Sequence, residues 1–141
     1  MTRWYIDTGV FVTPILKNRP QPVINACLEW QRRAASGEIE AVTSYLTWDE
    51  VAHVAGRVPP PFDRARAARF GQALLDCDWI DFVDVDDVIV AKAQSLLTRA
   101  GTGPRDCVHA ATALLRTDGR MVTLDTGLAA EPGLQPHFIK A

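Results

Sequence analysis

Apolar positions along the chain follow two rhythms. Short β-branched and aromatic runs read as strands at Trp4–Ile6, Ile39–Thr43, Trp79–Val85, Met121–Leu124 and Pro136–Ile139. Between them, apolar residues recur at helical spacing. Val23–Ala35 carries Ile24, Cys27, Leu28 and Trp30, and Asp63–Cys77 carries Ala67, Phe70, Leu74 and Leu75. Trp48–Arg57, Val88–Ala100 and Pro104–Thr117 also read as helices. Strands alternating with helices predict βαβ units, a parallel sheet and an α/β fold. One interval breaks the alternation: "VPPPF", Val58–Phe62, separates two helices with no strand between them. This predicts an αα-hairpin inserted into the α/β order. The run "WIDFVDVDD", Trp79–Asp87, alternates apolar and acidic residues, as an edge strand followed by a helix cap would.

A length of 141 residues fits a single domain spanning 1–141. With 48% hydrophobic and 23% charged residues the chain is expected to fold rather than remain disordered. A net charge of −2 excludes bulk attraction to nucleic acid or anionic lipid, so any such binding needs a local basic patch. Cys27, Cys77 and Cys107 lack metal-type spacing and read as reduced residues of a cytoplasmic protein. The N-terminal strand pattern leaves no room for a signal peptide, and no apolar run is long enough to cross a membrane.

Candidate chemistry begins with "RWYIDTGVFV", where Asp7 closes a core strand and Thr8-Gly9 read as a tight exit. In open parallel sheets, ligands bind beyond the carboxyl ends of the strands. Three more acids fall at that edge. Glu50 lies in "SYLTWDEV" in the expected first turn of a helix, Asp106 in the first turn opened by Gly103-Pro104, and Asp125 beyond the fourth strand in "MVTLDTGL". Each has a local alternative. Thr47 and Glu50 have capping-box spacing, Asp49 reads as a capping residue, Asp106 suits a helix dipole, and Asp125 suits a turn. Those local roles do not require all four acids to share one edge. Converging carboxylates repel unless a cation lies between them, and all-oxygen acidic sites suit Mg²⁺ or Mn²⁺. Asp7, Glu50 and Asp106 are expected to lie close enough to share one ion. Thr8 and Thr123 are candidates to orient the carboxylates, and Arg3, Lys17, Arg19 and Arg105 to meet phosphates. His109, three residues after Asp106, is expected to pack and bond to backbone. Trp30, Trp48 and Trp79 are expected in the core or an interface.

The pieces "YIDTGVF", "TWDEV", "GPRDCVHAATAL" and "MVTLDTGL", in that order, resemble the PIN-domain nucleases, and most of all the VapC toxins of toxin–antitoxin pairs. The resemblance implies a PIN-like three-layer α/β/α fold with a mostly parallel sheet. It implies that Asp7, Glu50, Asp106 and Asp125 are the catalytic carboxylates, with Asp7 and Asp106 foremost as ligands of Mg²⁺ or Mn²⁺. It further implies hydrolysis of RNA, a cognate antitoxin and a homodimer. This sequence has Gly9 where such proteins often carry Asn or Ser, and Thr126-Gly127 where a further Asp often stands. Other readings are a housekeeping nuclease or an inactive PIN-like binding module. A dehalogenase-type phosphatase would need a second Asp at position 9, and a receiver domain an early acidic pair and a late Lys. Neither pattern is present.

Overall fold

The computed structural model describes residues 1–99, 101–128 and 131–139. Five strands form one sheet: β1 (Arg3–Ile6), β2 (Glu40–Ser44), β3 (Ile80–Val83), β4 (Arg120–Thr123) and β5 (Gln135–Phe138). Their order is β3-β2-β1-β4-β5 and every pairing is parallel. The acidic run around Asp81 does form an edge strand, and Asp86 caps the helix that follows it.

The central strands are buried on both faces, as a covered parallel sheet requires. Side chains alternate between faces, so neighbours in sequence enter different cores. Ile6, Ala41 and Val122 face one layer, with Val10, Phe11, Cys27, Trp30, Val51 and Leu74. Tyr5, Val42 and Met121 face the other, with Ile89, Ala93, Leu96, Cys107 and Ala110. The first layer is built by α1 (Thr8–Leu16), α2 (Gln21–Ala35), α3 (Tyr45–Arg57) and α4 (Arg64–Leu75). The second is built by α5 (Asp87–Leu97) and α6 (Pro104–Arg116). The result is the expected three-layer α/β/α arrangement, with α3 and α4 packed together as the inserted hairpin. Ala100, at the expected end of α5, lies outside the described residues.

Two local readings are corrected. The residues after Asp7 are not a turn but the start of α1, and Asp7 is its N-cap, accepting from Thr8 N at 2.9 Å. Gly9 is helical; a Cβ there would stand 3.3 Å from Leu124 Cδ1, so glycine lets α1 pack closely on the end of β4. The second correction concerns α3, which begins at Tyr45 with Ser44 as N-cap, its hydroxyl accepting from Leu46 N at 3.0 Å. Thr47 and Glu50 therefore form no capping box, and Asp49 lies inside the helix rather than at its cap. Thr47 is buried within the helix and hydrogen-bonds Thr43 at 2.7 Å. Glu50 lies in the second turn, not the first.

Candidate active site

The strand order reverses between β1 and β4, and that switch point opens a crevice at the carboxyl edge of the sheet. Asp7 N donates to Val122 O at 3.0 Å, tying the end of β1 to β4 there. A cleft of about 440 Å³ lies over this point. Asp7, Glu50, Asp106 and Asp125 all line it, with Thr8, Arg19, His109 and Leu124. The structure thus brings the four acids found in the sequence to one place, from four different elements.

Each acid is held differently. Asp7 accepts from Thr8 N through Oδ1 and from the Thr123 hydroxyl through Oδ2, at 2.7 Å. Glu50 reaches the cleft from α3; its Oε1 accepts from the Thr8 hydroxyl at 2.8 Å and meets His109 Nε2 in a short contact. Thr8 and Thr123 therefore orient carboxylates, as their places in the sequence suggest. Asp106 is the third residue of α6, after Gly103 as N-cap and Pro104 at the first position. Asp125 folds back on its own turn, Oδ1 accepting from Gly127 N at 2.8 Å, while its N–H donates to Thr123 Oγ1 at 2.9 Å.

Burial and charge act together on the site's acids and its histidine. Burial raises the Asp106 pKa, and the charges of Asp125 and Asp7 raise it further. Burial also pushes Glu50 upward, but the His109 hydrogen bond and charge, helped by Thr8, outweigh it and hold Glu50 below the usual range. His109 is the reciprocal case. Its burial disfavours the charged ring, yet Tyr5, Glu50 and Asp7 outweigh burial and hold its pKa well above the ordinary value.

These opposite shifts predict opposite stabilities at neutral pH in EDTA. For Asp106, with its folded pKa raised, ionisation costs stability above the unfolded carboxylate pKa, so Asp106→Asn raises the melting temperature. For Glu50, with its folded pKa lowered, ionisation contributes stability, so Glu50→Gln lowers it. The difference between the two variants closes as pH falls through the carboxylate range. Thermal melts over that range measure both signs.

His109 departs from its expected role. It is buried, but its ring nitrogens meet side chains: Nδ1 meets the Tyr5 hydroxyl at 2.5 Å and Nε2 meets Glu50. In the sequence Tyr5 reads as a buried strand residue and not as part of the site. The available signal was that a core tyrosine must find a partner for its hydroxyl. Of the basic candidates, Arg19 lines the cleft and Arg105 flanks Glu50 and Asp106 in an adjoining hollow. Arg3 is not at the site. It pairs with Glu40 and Asp81 at the amino edge of the sheet. Lys17 serves as the C-cap of α1. Trp30 is core and Trp79 packs against it, whereas Trp48 is 42% exposed.

Among the described residues no three His, Cys, Asp or Glu side chains stand close enough to hold one ion between them. The expectation that Asp7, Glu50 and Asp106 converge that tightly is therefore not met. The donor set still fits a hard cation. All four groups are carboxylates, and Asp106 and Glu50 Oε2 have no protein hydrogen-bond partner among the described residues. Mg²⁺ keeps several waters and commonly takes only one or two carboxylates directly.

The PIN-domain family model matches residues 4–132. The chain belongs to the PIN-domain family. Solved structures place the PIN fold seen here beside toxin–antitoxin complexes. A chain of VapBC2 from Rickettsia felis, solved bound to a promoter DNA fragment, superposes with a TM-score of 0.71 at 14% identity, covering 99% of this chain and 100% of that one. A chain of DNA-bound VapBC from Salmonella typhimurium gives 0.69 at 16% identity, covering 99% and 100%. A toxin–antitoxin complex from Klebsiella pneumoniae gives 0.63 at 18%, covering 93% and 94%. Among curated proteins none matches this chain.

Proposed function

We propose that this PIN-domain protein is a divalent-metal-dependent endoribonuclease and the toxin of a toxin–antitoxin pair. The observation that carries the reading is the cleft at the β1/β4 switch point, which gathers Asp7, Glu50, Asp106 and Asp125. Mg²⁺ or Mn²⁺, when bound, supplies an activated water and neutralises charge on the phosphodiester. Asp7 and Asp106 are assigned as its principal ligands, with Glu50 and Asp125 acting from the walls. The protein's own residues do the rest. Thr8 and Thr123 fix the carboxylate rotamers, Leu124 gives the cleft an apolar wall, and Arg19 and Arg105 are placed to meet phosphates flanking the scissile bond.

The structural likeness to VapBC chains supports an antitoxin as partner, and the α3–α4 hairpin offers a place for it. An apolar groove of about 680 Å³ there is lined by Trp48, Ala52, Phe62, Ala68 and Leu75. We take the working unit to be a homodimer, on the resemblance of the motifs, and place it in the cytoplasm. Among the described residues no helix is long and apolar enough to cross a membrane.

The test is cleavage of looped or single-stranded RNA by the purified protein. Cleavage is expected with Mg²⁺ or Mn²⁺, is lost in EDTA and returns when the ion is restored in excess. Expression without the partner is expected to arrest growth, and Asp106→Asn to relieve the arrest. Protein that binds RNA without cutting it under any divalent ion would be an inactive binding module.

A further inference from the structure

We infer that Tyr5 and His109 are positioning residues that hold Glu50 in the cleft through a closed ring of hydrogen bonds. The ring draws on four elements. From Glu50 on α3 it passes to His109 Nε2 on α6, and from His109 Nδ1 to the Tyr5 hydroxyl on β1 at 2.5 Å. The Tyr5 oxygen then accepts from Ser44 N at 3.3 Å. Ser44 is the last residue of β2 and the N-cap of α3, the helix that carries Glu50, so the backbone from Ser44 to Glu50 closes the ring.

Glu50 has three rotatable torsions and lies in the second turn of its helix, so the backbone alone does not fix its carboxylate. The ring and Thr8 do so together. Both converge on Oε1, and Oε2 has no protein partner among the described residues. One oxygen is anchored and the other stays available. A histidine serving packing alone would satisfy its nitrogens on backbone carbonyls. Here both nitrogens are spent on side chains, one of them a cleft acid, although the ring is only 2% exposed. Tyr5 is fully buried, so its hydroxyl has no water to turn to and keeps the imidazole in one orientation. His109 also follows Asp106 by three residues on α6, and Thr8 follows Asp7 directly. The ring thereby ties the orientation of Glu50 to the elements that present Asp7 and Asp106. Partners behind a ligand's first contacts commonly alter ion affinity or activity ten- to hundredfold when removed.

This inference rests on the proposed metal-dependent reading, and the experiment separates the two. Mn²⁺ affinity is measured by calorimetry on the wild type, Tyr5→Phe, His109→Gln and His109→Leu, alongside circular dichroism. Tyr5→Phe keeps the ring's packing and deletes only the hydroxyl. It is expected to retain the wild-type fold while weakening Mn²⁺ binding by roughly tenfold or more. His109→Gln, which preserves an N–H donor toward Glu50, is expected to keep most of the affinity that His109→Leu loses. A readout without metal is the imidazole Nε2–H resonance of His109. Its proton is expected to exchange slowly in the wild type because the ring is buried, which sets it apart from the exposed His53 and His137, and to broaden in Tyr5→Phe. Wild-type Mn²⁺ affinity in Tyr5→Phe, or in a folded His109→Leu, would overturn the ring's role. A wild type that binds no Mn²⁺ would overturn the nuclease reading, and the His109 resonance in Tyr5→Phe would then decide the ring by itself.

Discussion

Asp7→Asn is expected to lower RNA cleavage at least about a hundredfold, equivalent to roughly 2.7 kcal/mol of transition-state stabilisation, without unfolding the protein. Asp7 is the acid most firmly fixed in the cleft, with both oxygens hydrogen-bonded at the end of β1. Asparagine replaces a charged oxygen with an amide of nearly the same shape. As an N-cap it serves about as well as aspartate, so α1 keeps its first turn. The amide oxygen can still accept from Thr8 N. The lost charge is one of those that raise the Asp106 pKa, so its removal relieves repulsion. The metal-free variant is therefore expected to melt at or above the wild-type temperature while losing its activity. A single-turnover cleavage assay paired with a thermal melt in EDTA reads both. Wild-type cleavage by Asp7→Asn would remove Asp7 from the mechanism; lost cleavage with a collapsed melting temperature would make it structural.

Asp7, Asp106 and Asp125 were legible in the sequence because each sits beside a strong local signal, whereas Glu50 was assigned to the right edge through a helix start that in fact lies three residues earlier, at Tyr45. Asp7 and Asp125 follow apolar runs, and Asp106 follows Gly-Pro at a helix start. A parallel sheet then sends every strand exit to one edge, so register along the chain becomes proximity in space. The inserted hairpin was legible for a similar reason, since a proline cluster between two helical patterns leaves few alternatives.

What sequence reasoning missed follows from competition between local and tertiary terms. Helix α1 contains Thr8, Gly9, Val10, Val12, Thr13 and Pro14 within nine residues, a composition with poor intrinsic helicity. It forms because Val10 and Phe11 are buried in the core and Asp7 caps its start. The start of α3 was misplaced because β2 passes into the helix with no loop. Ser44 is both the last strand residue and the N-cap, whereas Thr47 only looked like one. The Tyr5–His109 contact spans 104 positions in sequence. Periodicity assigns a face to each residue but cannot match one buried polar group with another across the fold. Buried Tyr and His in facing layers is the pattern to search for, because each must find a partner.

Partner binding is expected to weaken as Mg²⁺ rises at constant ionic strength. In the free protein, the Asp106 pKa is pushed up by burial and by the charges of Asp125 and Asp7, which His109 offsets only in part. An ion relieves that repulsion, and so does an arginine or lysine of an antitoxin that reaches into the cleft. Both neutralise the same carboxylates, so they cannot occupy the site together. The anchor proposed for such a partner is the α3–α4 groove, whose exposed Trp48, Phe62 and Leu75 suit the apolar side of a segment that folds on binding. Gly71 lets Trp48 pack closely on α4, since a Cβ there would meet Trp48 Nε1 at 2.8 Å. If ion and basic side chain exclude one another, Mg²⁺ at about 100 times its own Kd lowers the apparent partner affinity about a hundredfold. Trp48→Asp separates the anchor from the plug. It is expected to weaken the partner at every Mg²⁺ concentration, preserve the slope of the Mg²⁺ dependence and leave RNA cleavage by the free protein unchanged. Titrations of the co-purified partner across a Mg²⁺ series measure this directly. A flat series would mean that inhibition comes from a surface outside the acidic cleft, and a Trp48→Asp protein with unaltered affinity would move the anchor away from the hairpin.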